Sequence, residues 1–300
     1  MSIIPFHDRD GHIWFDGNLV PWREANVHVL THGLHYGSCV FEGERIYNGS
    51  VFKLREHSER LVKSAELLGF EIPYSVEEID AATIATCKAA NMVNGYIRPV
   101  AWRGSEMMGV AAQHNKIHLA IACWEWPSYF SPEARMKGIH LQLSQWRRPA
   151  PDTAPTASKA AGLYMICTLS KHTAEKAGFQ DALMLDYRGR VAEATGANFF
   201  MVKDGAIHTP IPDCFLDGIT RRTVIDLAKR RGYQVIERRI ELPEVEHADE
   251  IFLTGTAAEV TPVGRINDWT FTPGDVCRAL MLDYDALVNG RLDTAAVAAE

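Results

Sequence analysis

Hydrophobic and polar residues alternate along several short stretches of the chain, and this period of two predicts strands that are buried on one face. Residues 13–20 contain two such stretches on either side of an Asp-Gly pair, which predicts a β-hairpin. In the stretch 95–104, Tyr96, Arg98 and Trp102 fall on the same face of the predicted strand. A continuous apolar run predicts another strand at 117–124. Further strands are predicted at 51–54, 139–146, 181–186, 198–203, 207–209, 233–240 and 250–255.

Apolar residues recur every three to four positions in other stretches, and this spacing predicts helices with one buried face. The stretch 56–69 carries Leu61 and Ala65 on such a face. A further apolar helix is predicted at 163–177, where Gly178 ends it. The remaining helices are predicted at 76–93, within 216–232 and near 275–290.

The order of these elements predicts the fold class. Strands and helices are mixed, but they do not alternate as regular strand–helix–strand units, so the pattern indicates an α+β protein instead of a doubly wound sheet. Residues 126–137 contain two prolines and show little periodicity, which is typical of a connection between domains. We therefore predict an N-terminal domain of residues 1–125, an interdomain connection at 126–137 and a C-terminal domain of residues 138–300.

Composition and charge narrow the classes of function. The chain has 300 residues, 47% of them hydrophobic, which is enough to bury a large core. A net charge of −7 without runs of lysine or arginine favours a small-molecule or protein partner over a nucleic acid. No stretch of about 18 apolar residues indicates a membrane span, and the N-terminus does not have the pattern of a secretory signal. The six cysteines form no CxxC pair, so we expect reduced thiols, no metal site and a cytoplasmic protein.

Lys159 is the first candidate for chemistry. It lies in the segment TASKAAG, between a loop and an apolar helix, and its small neighbours leave room for a planar ligand. A desolvated lysine can act as a nucleophile that forms imines with carbonyl compounds. A solvated lysine near a helix start is the alternative, since most lysines are exposed.

Two further segments offer partners for an ionic ligand. Glu193 lies among small residues just before an apolar strand, where a buried carboxylate needs a partner such as a protonated ring nitrogen; a turn residue is the alternative. Residues Gly218 to Thr220 precede a helix, and N–H groups at a helix N-terminus bind phosphate. The competing use is an ordinary N-cap by Asp217 or Thr220. The turn 255–258 offers similar N–H donors, or it is a plain turn after a strand.

Tyrosine, arginine and histidine side chains form the remaining candidates. Tyr96 and Arg98 share a strand face and offer a hydroxyl and a fork-shaped cation to a carboxylate, although a strand arginine is usually solvated. Arg60 falls on a predicted helix, where most arginines are surface residues. The histidines at 28, 32 and 35 are spaced loosely like metal ligands, but no acidic pair supports a site, so ordinary polar roles are favoured.

The order of these segments along the chain resembles one family. The strings ASKAAGLY, EATGANFF, LDGITR and GTAAEVTPV resemble the fold-type IV pyridoxal-phosphate enzymes, also called class IV aminotransferases. The strings HGLHYGSCVFEGERIY, FKLREHSERL, YIRP and WEWPSY resemble the branched-chain aminotransferases within that group. The resemblance runs from about residue 13 to residue 266. It implies a fold like that of D-amino acid aminotransferase, with a smaller α/β N-terminal domain and a larger C-terminal domain.

The resemblance also implies a role for each matching position. Lys159 would carry pyridoxal phosphate as a Schiff base and shuttle the proton, Glu193 would pair with the ring nitrogen, and Tyr164 would bind the phenolic oxygen. The phosphate would be held by Arg60, Gly218, Ile219, Thr220 and Thr256. Substrate contacts would come from Phe41, Arg45, Tyr96, Arg98, Trp126, Tyr129, Thr256 and Ala257, and from Tyr36 and Val110 across a dimer interface.

The implied reaction is transamination of L-leucine, L-isoleucine and L-valine with 2-oxoglutarate, by a homodimer or a larger homo-oligomer. Arg45 is the candidate for a polar group at the pocket rim that accepts glutamate. The segment 102–110 departs from the family pattern and adds Arg103 and Glu106, which leaves the substrate range open. The alternatives are a D-amino-acid transaminase, an (R)-amine transaminase, an aminodeoxychorismate lyase, or a non-catalytic protein that keeps the fold.

Overall fold

The computed structural model describes residues 4–126 and 136–292, and these fall into two compact units. The first unit contains the described residues before the gap together with Ser158–Leu163, and the second contains the rest. The segment Ser158–Leu163 therefore groups with the N-terminal part of the chain, although it lies within the predicted C-terminal domain. The predicted connection at 126–137 lies almost entirely outside the described residues, so the domain bounds stay a prediction.

The first unit is built around one sheet. Its elements are β1 (His12–Phe15), β2 (Asn18–Pro21), α1 (His32–Tyr36), β3 (Cys39–Phe41), β4 (Glu44–Tyr47), β5 (Ser50–Val51), α2 (Leu54–Leu67), α3 (Val76–Ala89), β6 (Gly95–Arg103) and β7 (Ile117–Glu125), with a 3-10 turn at Trp22–Glu24. The strand order is β2-β1-β7-β6-β4-β5, and β3 pairs with β6. The predicted hairpin at 13–20 is confirmed as the antiparallel pair β1 and β2.

Helices α2 and α3 bury one face of this sheet. A capping box between Ser75 and Glu78 begins α3 and satisfies N–H groups that the helix itself leaves unpaired. Ile79 of α3 packs in the same core cluster as Ile97 of β6. Because strand residues alternate between faces, Arg98 and its alternate neighbours point to the opposite side. The predicted face of β6 is therefore confirmed, and it is available for a site.

The second unit is also built around one large sheet. Its elements are β8 (Ile139–Arg148), α4 (Met165–Lys176), β9 (Asp181–Asp186), β10 (Val191–Ala194), β11 (Asn198–Lys203), β12 (Ala206–Pro210), α5 (Ile219–Arg230), β13 (Val235–Arg238), α6 (Leu242–Val245), β14 (Glu250–Gly255), β15 (Glu259–Ile266), β16 (Trp269–Thr270) and α7 (Asp275–Val288), and a 3-10 turn at Ala161–Tyr164 joins the units. The strand order is β10-β9-β8-β15-β14-β11-β12-β13, with β16 beside β15. Parallel and antiparallel pairs occur together in this sheet, so it is not the all-parallel sheet of a doubly wound fold. No helix in the described parts of the chain is both long and apolar enough to cross a membrane.

Two predicted elements had wrong bounds, and some strands were not predicted. The predicted strand 51–54 ends at Val51, and α2 already begins at Leu54. Lys53, just before this helix, has a left-handed backbone conformation. The helix predicted at 76–93 ends at Ala89. The strands β10 and β15 were not predicted, because β10 has only four residues and β15 contains proline and glycine, which usually interrupt strands. The first of these omissions matters most, since β10 holds Glu193.

Candidate active site

The backbone of Lys159 is held by the first unit on both sides. Its N–H donates to Ser64 Oγ at 3.0 Å, and its carbonyl accepts from Phe41 N–H at 3.2 Å. The hydroxyl of Ser158 donates to the Ser64 carbonyl at 2.8 Å. The Nζ atom of the half-buried lysine lies 5.2 Å from the centre of the Phe41 ring. The backbone of Lys159 is therefore fixed within the first unit, and its side chain is half-buried.

A buried carboxylate, Glu42, joins two basic residues of α2. Its Oε1 accepts from Arg60 Nε at 2.7 Å, and its Oε2 accepts from Arg60 Nη2 at 2.8 Å. The Nδ1 atom of His57 lies 2.7 Å from the same Oε2. Burial raises the pKa of Glu42, but Arg60 and His57 lower it by more, so the pKa lies well below its ordinary value. Glu42 is thus ionised at neutral pH and fixes the plane of the Arg60 guanidinium.

Glu42 and His57 were not predicted to have a role. Both lie in strings that carried the family resemblance, but neither was interpreted as a partner of Arg60. Burial lowers the pKa of His57 most, and the charges of Arg60 and Lys159 lower it further, against the opposing effect of Glu42. The signal in the sequence was an acid that follows the apolar residues of β3, together with two basic residues three positions apart on the predicted helix.

The Tyr96–Arg98 face of β6 forms a polar spot among aromatic rings. Arg98 Nη2 donates to the Tyr96 hydroxyl at 3.2 Å, and its guanidinium carbon lies 4.5 Å from the centre of the Phe41 ring. The Trp126 ring lies 5.3 Å from that of Tyr96. Next to them in the first unit is a cavity of about 600 Å³. Its lining is mostly apolar and includes Phe15, Val27, Leu34, Val100 and Trp102. Arg98 also lines the cavity.

The other predicted substrate positions differ in exposure. Arg45 is buried, and it pairs in register with Tyr96 across β4 and β6. Tyr36 is 48% exposed and Val110 is 87% exposed, so each leaves apolar surface uncovered within the single chain. Tyr129 lies outside the described residues.

In the second unit, Glu193 lies between a buried arginine and an asparagine. Its Oε1 is 3.4 Å from Arg148 Nε, and its Oε2 accepts from Asn198 Nδ2 at 3.2 Å. Glu193 and Asn198 face each other in register on β10 and β11. Glu193 is buried, so the alternative of an exposed turn acid was wrong. Sequence reasoning missed Arg148 and Asn198, because each comes from a different strand.

Helix α5 begins next to this acid with backbone N–H groups that no side chain caps. Its N-cap is Gly218, so the predicted N-cap by Asp217 or Thr220 was wrong. Asp217 instead pairs with Arg221 at 2.8 Å. A Cβ atom on Gly218 would lie 2.2 Å from Asn198 Oδ1, so only glycine fits without displacing that side chain. A helix N-terminus of this kind can hold an anion.

The remaining predicted cofactor positions belong to the second unit as well. Thr256 and Ala257 form the turn between β14 and β15. Just before this turn, the buried Thr254 Oγ1 has no hydrogen-bond partner among the described residues. Tyr164 ends the 3-10 turn. Burial lowers the pKa of Arg148, but the charges of Glu193, Cys167 and Tyr164 raise it by more, so the pKa lies above its ordinary value.

The histidines and the unusual charged segment make local contacts in the first unit. His32 Nε2 lies 2.9 Å from the Gly109 carbonyl, and His35 Nε2 lies 2.8 Å from the Val29 carbonyl. Arg103 donates to the backbone carbonyls of Gly69 and Ala112. These groups therefore brace loops, in line with the ordinary polar roles favoured for the histidines.

The chain is similar in sequence to one family of known proteins. The family model of the amino-transferases of class IV matches residues 39–266. The chain belongs to this family, which confirms the resemblance found in its sequence. It is 44% identical over 96% of its length to the whole of a probable branched-chain-amino-acid aminotransferase of Rickettsia felis. It is also 43% identical, over 95% of both chains, to a branched-chain-amino-acid aminotransferase of Pseudomonas aeruginosa.

Solved structures give the same result. A branched-chain amino acid aminotransferase from T.th. with pyridoxamine 5'-phosphate matches with a TM-score of 0.92 and 40% identity, covering 95% of this chain and 96% of that one. The branched-chain enzyme of Escherichia coli matches with a TM-score of 0.90 and 37% identity, covering 95% and 97%. The predicted fold, α+β and fold-type IV, is confirmed.

Proposed function

We propose that this chain is a pyridoxal-phosphate-dependent transaminase of L-branched-chain amino acids, with 2-oxoglutarate as the amino acceptor. The observation that carries the proposal is that Asn198 bonds the buried Glu193 and also packs against Gly218 at the start of α5. A buried carboxylate suits a protonated ring nitrogen, and uncapped helix N–H groups suit a phosphate. The residues present therefore fit the cofactor, and the substrate class follows the names of the relatives.

Lys159 is the proposed catalytic residue. When bound, pyridoxal phosphate supplies an electron-poor ring that stabilises the negative charge left at the substrate Cα after its proton departs. Lys159 would hold the cofactor covalently through its ε-amine. Once substrate displaces the amine, Nζ would act as one general acid–base group that moves the proton from the substrate Cα to C4′ of the cofactor. Because Ser64 and Phe41 fix the backbone, only the side chain has to move.

The remaining cofactor ligands are proposed from the resemblance. Arg60 is the proposed cation for the phosphate, and its pair with Glu42 uses two of the five guanidinium donors to set its plane. The N–H groups of Ile219 and Thr220, the Gly218 turn and Thr256 are the other proposed phosphate ligands. Tyr164 is proposed to bind the phenolic oxygen.

The first unit is proposed to select the substrate. The hydroxyl of Tyr96 and the guanidinium of Arg98 suit a carboxylate, and the ring of Phe41 offers an apolar contact. By resemblance, Trp126 and Tyr129 would add to the apolar pocket, and Arg45 is the proposed rim residue that accepts glutamate. The N–H groups of Thr256 and Ala257 are proposed to assist on the carboxylate side.

We further propose a homodimer. Val29, Leu34 and Val110 are 67%, 68% and 87% exposed, and Tyr36 is nearby in sequence and 48% exposed. Apolar residues left in solvent in such numbers on one unit are typical of an interface. Tyr36 and Val110 would then contribute across it. The six cysteines, none of which is in a disulfide, support a cytoplasmic location.

A substrate panel tests the proposed function. Purified protein with pyridoxal phosphate should convert L-leucine and 2-oxoglutarate, while D-alanine and (R)-1-phenylethylamine should be poor amino donors. Lys159→Ala should abolish turnover and remove the absorbance near ~410–430 nm that the bound cofactor contributes. Turnover of a D-amino acid or an amine without turnover of L-leucine would replace the proposed substrate class. Sedimentation of an active monomer would overturn the proposed dimer.

A further inference from the structure

Arg148, which ends β8, is a buried cation beside the candidate cofactor acid. Its side chain is 4% exposed, and its Nε lies 3.4 Å from Glu193 Oε1. Its Nη1 donates to Cys167 Sγ at 3.3 Å, so the guanidinium is held on the side of α4 as well. A cation at this depth is costly unless a carboxylate compensates it, and the carboxylate at this distance is Glu193.

We propose that Arg148 is a positioning residue that keeps Glu193 in its carboxylate form and so places the shared proton on the cofactor ring nitrogen. The inference rests on the proposed function, because it needs a bound pyridoxal phosphate. Arg148 is not itself proposed to contact the ring. Arg148 acts through the acid.

The physical reason lies in the competition between two sites for one proton. A carboxylate in a poorly solvated place tends to become a neutral acid. A neutral Glu193 would keep the proton and share it with the ring nitrogen only through a hydrogen bond. A nearby opposite charge changes the proton affinity of a carboxylate about 10- to 1000-fold. Arginine is suited to this task, since its guanidinium stays protonated in proteins even when buried. The cation therefore biases the proton toward the ring.

Asn198 has a complementary role on the other oxygen. It donates to Glu193 Oε2 at 3.2 Å and to the Leu216 carbonyl at 3.0 Å, so it orients the carboxylate without changing the net charge. Charge and orientation are thus supplied by different residues. This separation makes the effect of Arg148 accessible to experiment, because its charge can be removed while Asn198 remains.

The test uses holoenzyme reconstituted with ¹⁵N-labelled pyridoxal phosphate. In Arg148→Met, the ring-nitrogen NMR signal should move toward that of an unprotonated pyridine, and kcat for L-leucine should fall about 10-fold or more. Arg148→Lys, which keeps a positive charge, should retain most of the wild-type signal. Arg148→Gln replaces the methionine variant if that protein does not fold. Arg238→Met, at a partly exposed arginine paired with Glu244, controls for the general loss of an ion pair.

The outcomes separate the two proposals. If wild-type protein binds no cofactor, the proposed function fails. If it binds the cofactor but the ring-nitrogen signal is the same in wild type and in the neutral Arg148 variants, Arg148 is only a structural ion-pair partner and the inference is overturned. A lower unfolding temperature of the apoprotein without a change in the NMR signal leads to the same conclusion.

Discussion

Glu42 and Glu44 are both fully buried in the first unit, two residues apart, yet the pKa values of their carboxyl groups are shifted in opposite directions. Glu42 has Arg60 and His57 as partners, and its pKa is lowered. Both oxygens of Glu44 have no hydrogen-bond partner among the described residues. Burial, followed by the charges of Glu42 and Asp80, raises the pKa of Glu44 well above its ordinary value. The partners of Glu42 therefore favour its anion, whereas the surroundings of Glu44 favour its neutral form.

Glu44→Gln should make the protein more stable than wild type at higher pH. Because the folded state holds the Glu44 proton more tightly than the unfolded state, its contribution is present below about pH 4.5 and is lost as the pH rises toward the raised folded pKa. Over that range wild type should lose up to ~1.4 kcal/mol of unfolding free energy per pH unit relative to the variant.

Urea unfolding at a series of pH values measures this difference. The exposed Glu66→Gln, on α2, is the surface control. A wild-type minus Glu44→Gln difference that stays constant from pH 4 to pH 8 would contradict the raised pKa.

Glu42→Gln should have the opposite pH dependence. The pKa of Glu42 is lowered, so its stabilising contribution is present above about pH 4.5 and disappears as the pH falls. Loss of one partner of a buried ion pair costs about 3–5 kcal/mol, and Arg60 would lose its bidentate acceptor. Urea unfolding at pH 7 should show this loss, and it should shrink toward acidic pH. A variant as stable as wild type at pH 7 would show that the Glu42 pair does not stabilise the unit.

The sequence predicted the elements whose pattern is local. The alternation in 95–104 placed Arg98 and Tyr96 on one face, and that face is the one away from the helices. The strand β10 was missed because four residues, three of them Val or Ala, carry too little pattern to distinguish a strand from a turn. Its partner across the sheet is what makes it a strand.

In the site, too, local sequence patterns were predicted and long-range contacts were not. Lys159 and Glu193 were named because they lie in recognisable strings of small residues. Arg148 and Ser64 were not, because each becomes relevant only through a contact with a residue at least 45 positions away. Contacts over such distances are set by sheet order and helix packing, and one sequence carries no direct signal of them.

Ser64→Ala should disturb Lys159 without disturbing the core. The Ser64 hydroxyl accepts from the Lys159 N–H at 3.0 Å, and an N–H left without its acceptor costs about 1–3 kcal/mol. We expect a lower kcat for L-leucine together with a modest loss of unfolding free energy. Ser58→Ala is the matched control, since Ser58 is equally buried on the same helix and its hydroxyl has no partner among the described residues. Equal kcat values for the two variants would argue against an anchoring role of Ser64.

Gly218→Ala should weaken cofactor binding through Asn198. The new methyl group would lie 2.2 Å from Asn198 Oδ1, so the asparagine has to move and give up its bond to Glu193. Hydrogen bonds to charged groups are worth about 1.5–3 kcal/mol, so the dissociation constant of pyridoxal phosphate should rise roughly 10- to 100-fold. Gly196→Ala is the control, because a Cβ atom there meets open space. Fluorescence titration of the apoproteins measures both constants. If Gly218→Ala binds the cofactor as tightly as Gly196→Ala, the start of α5 and Asn198 do not act together in holding it.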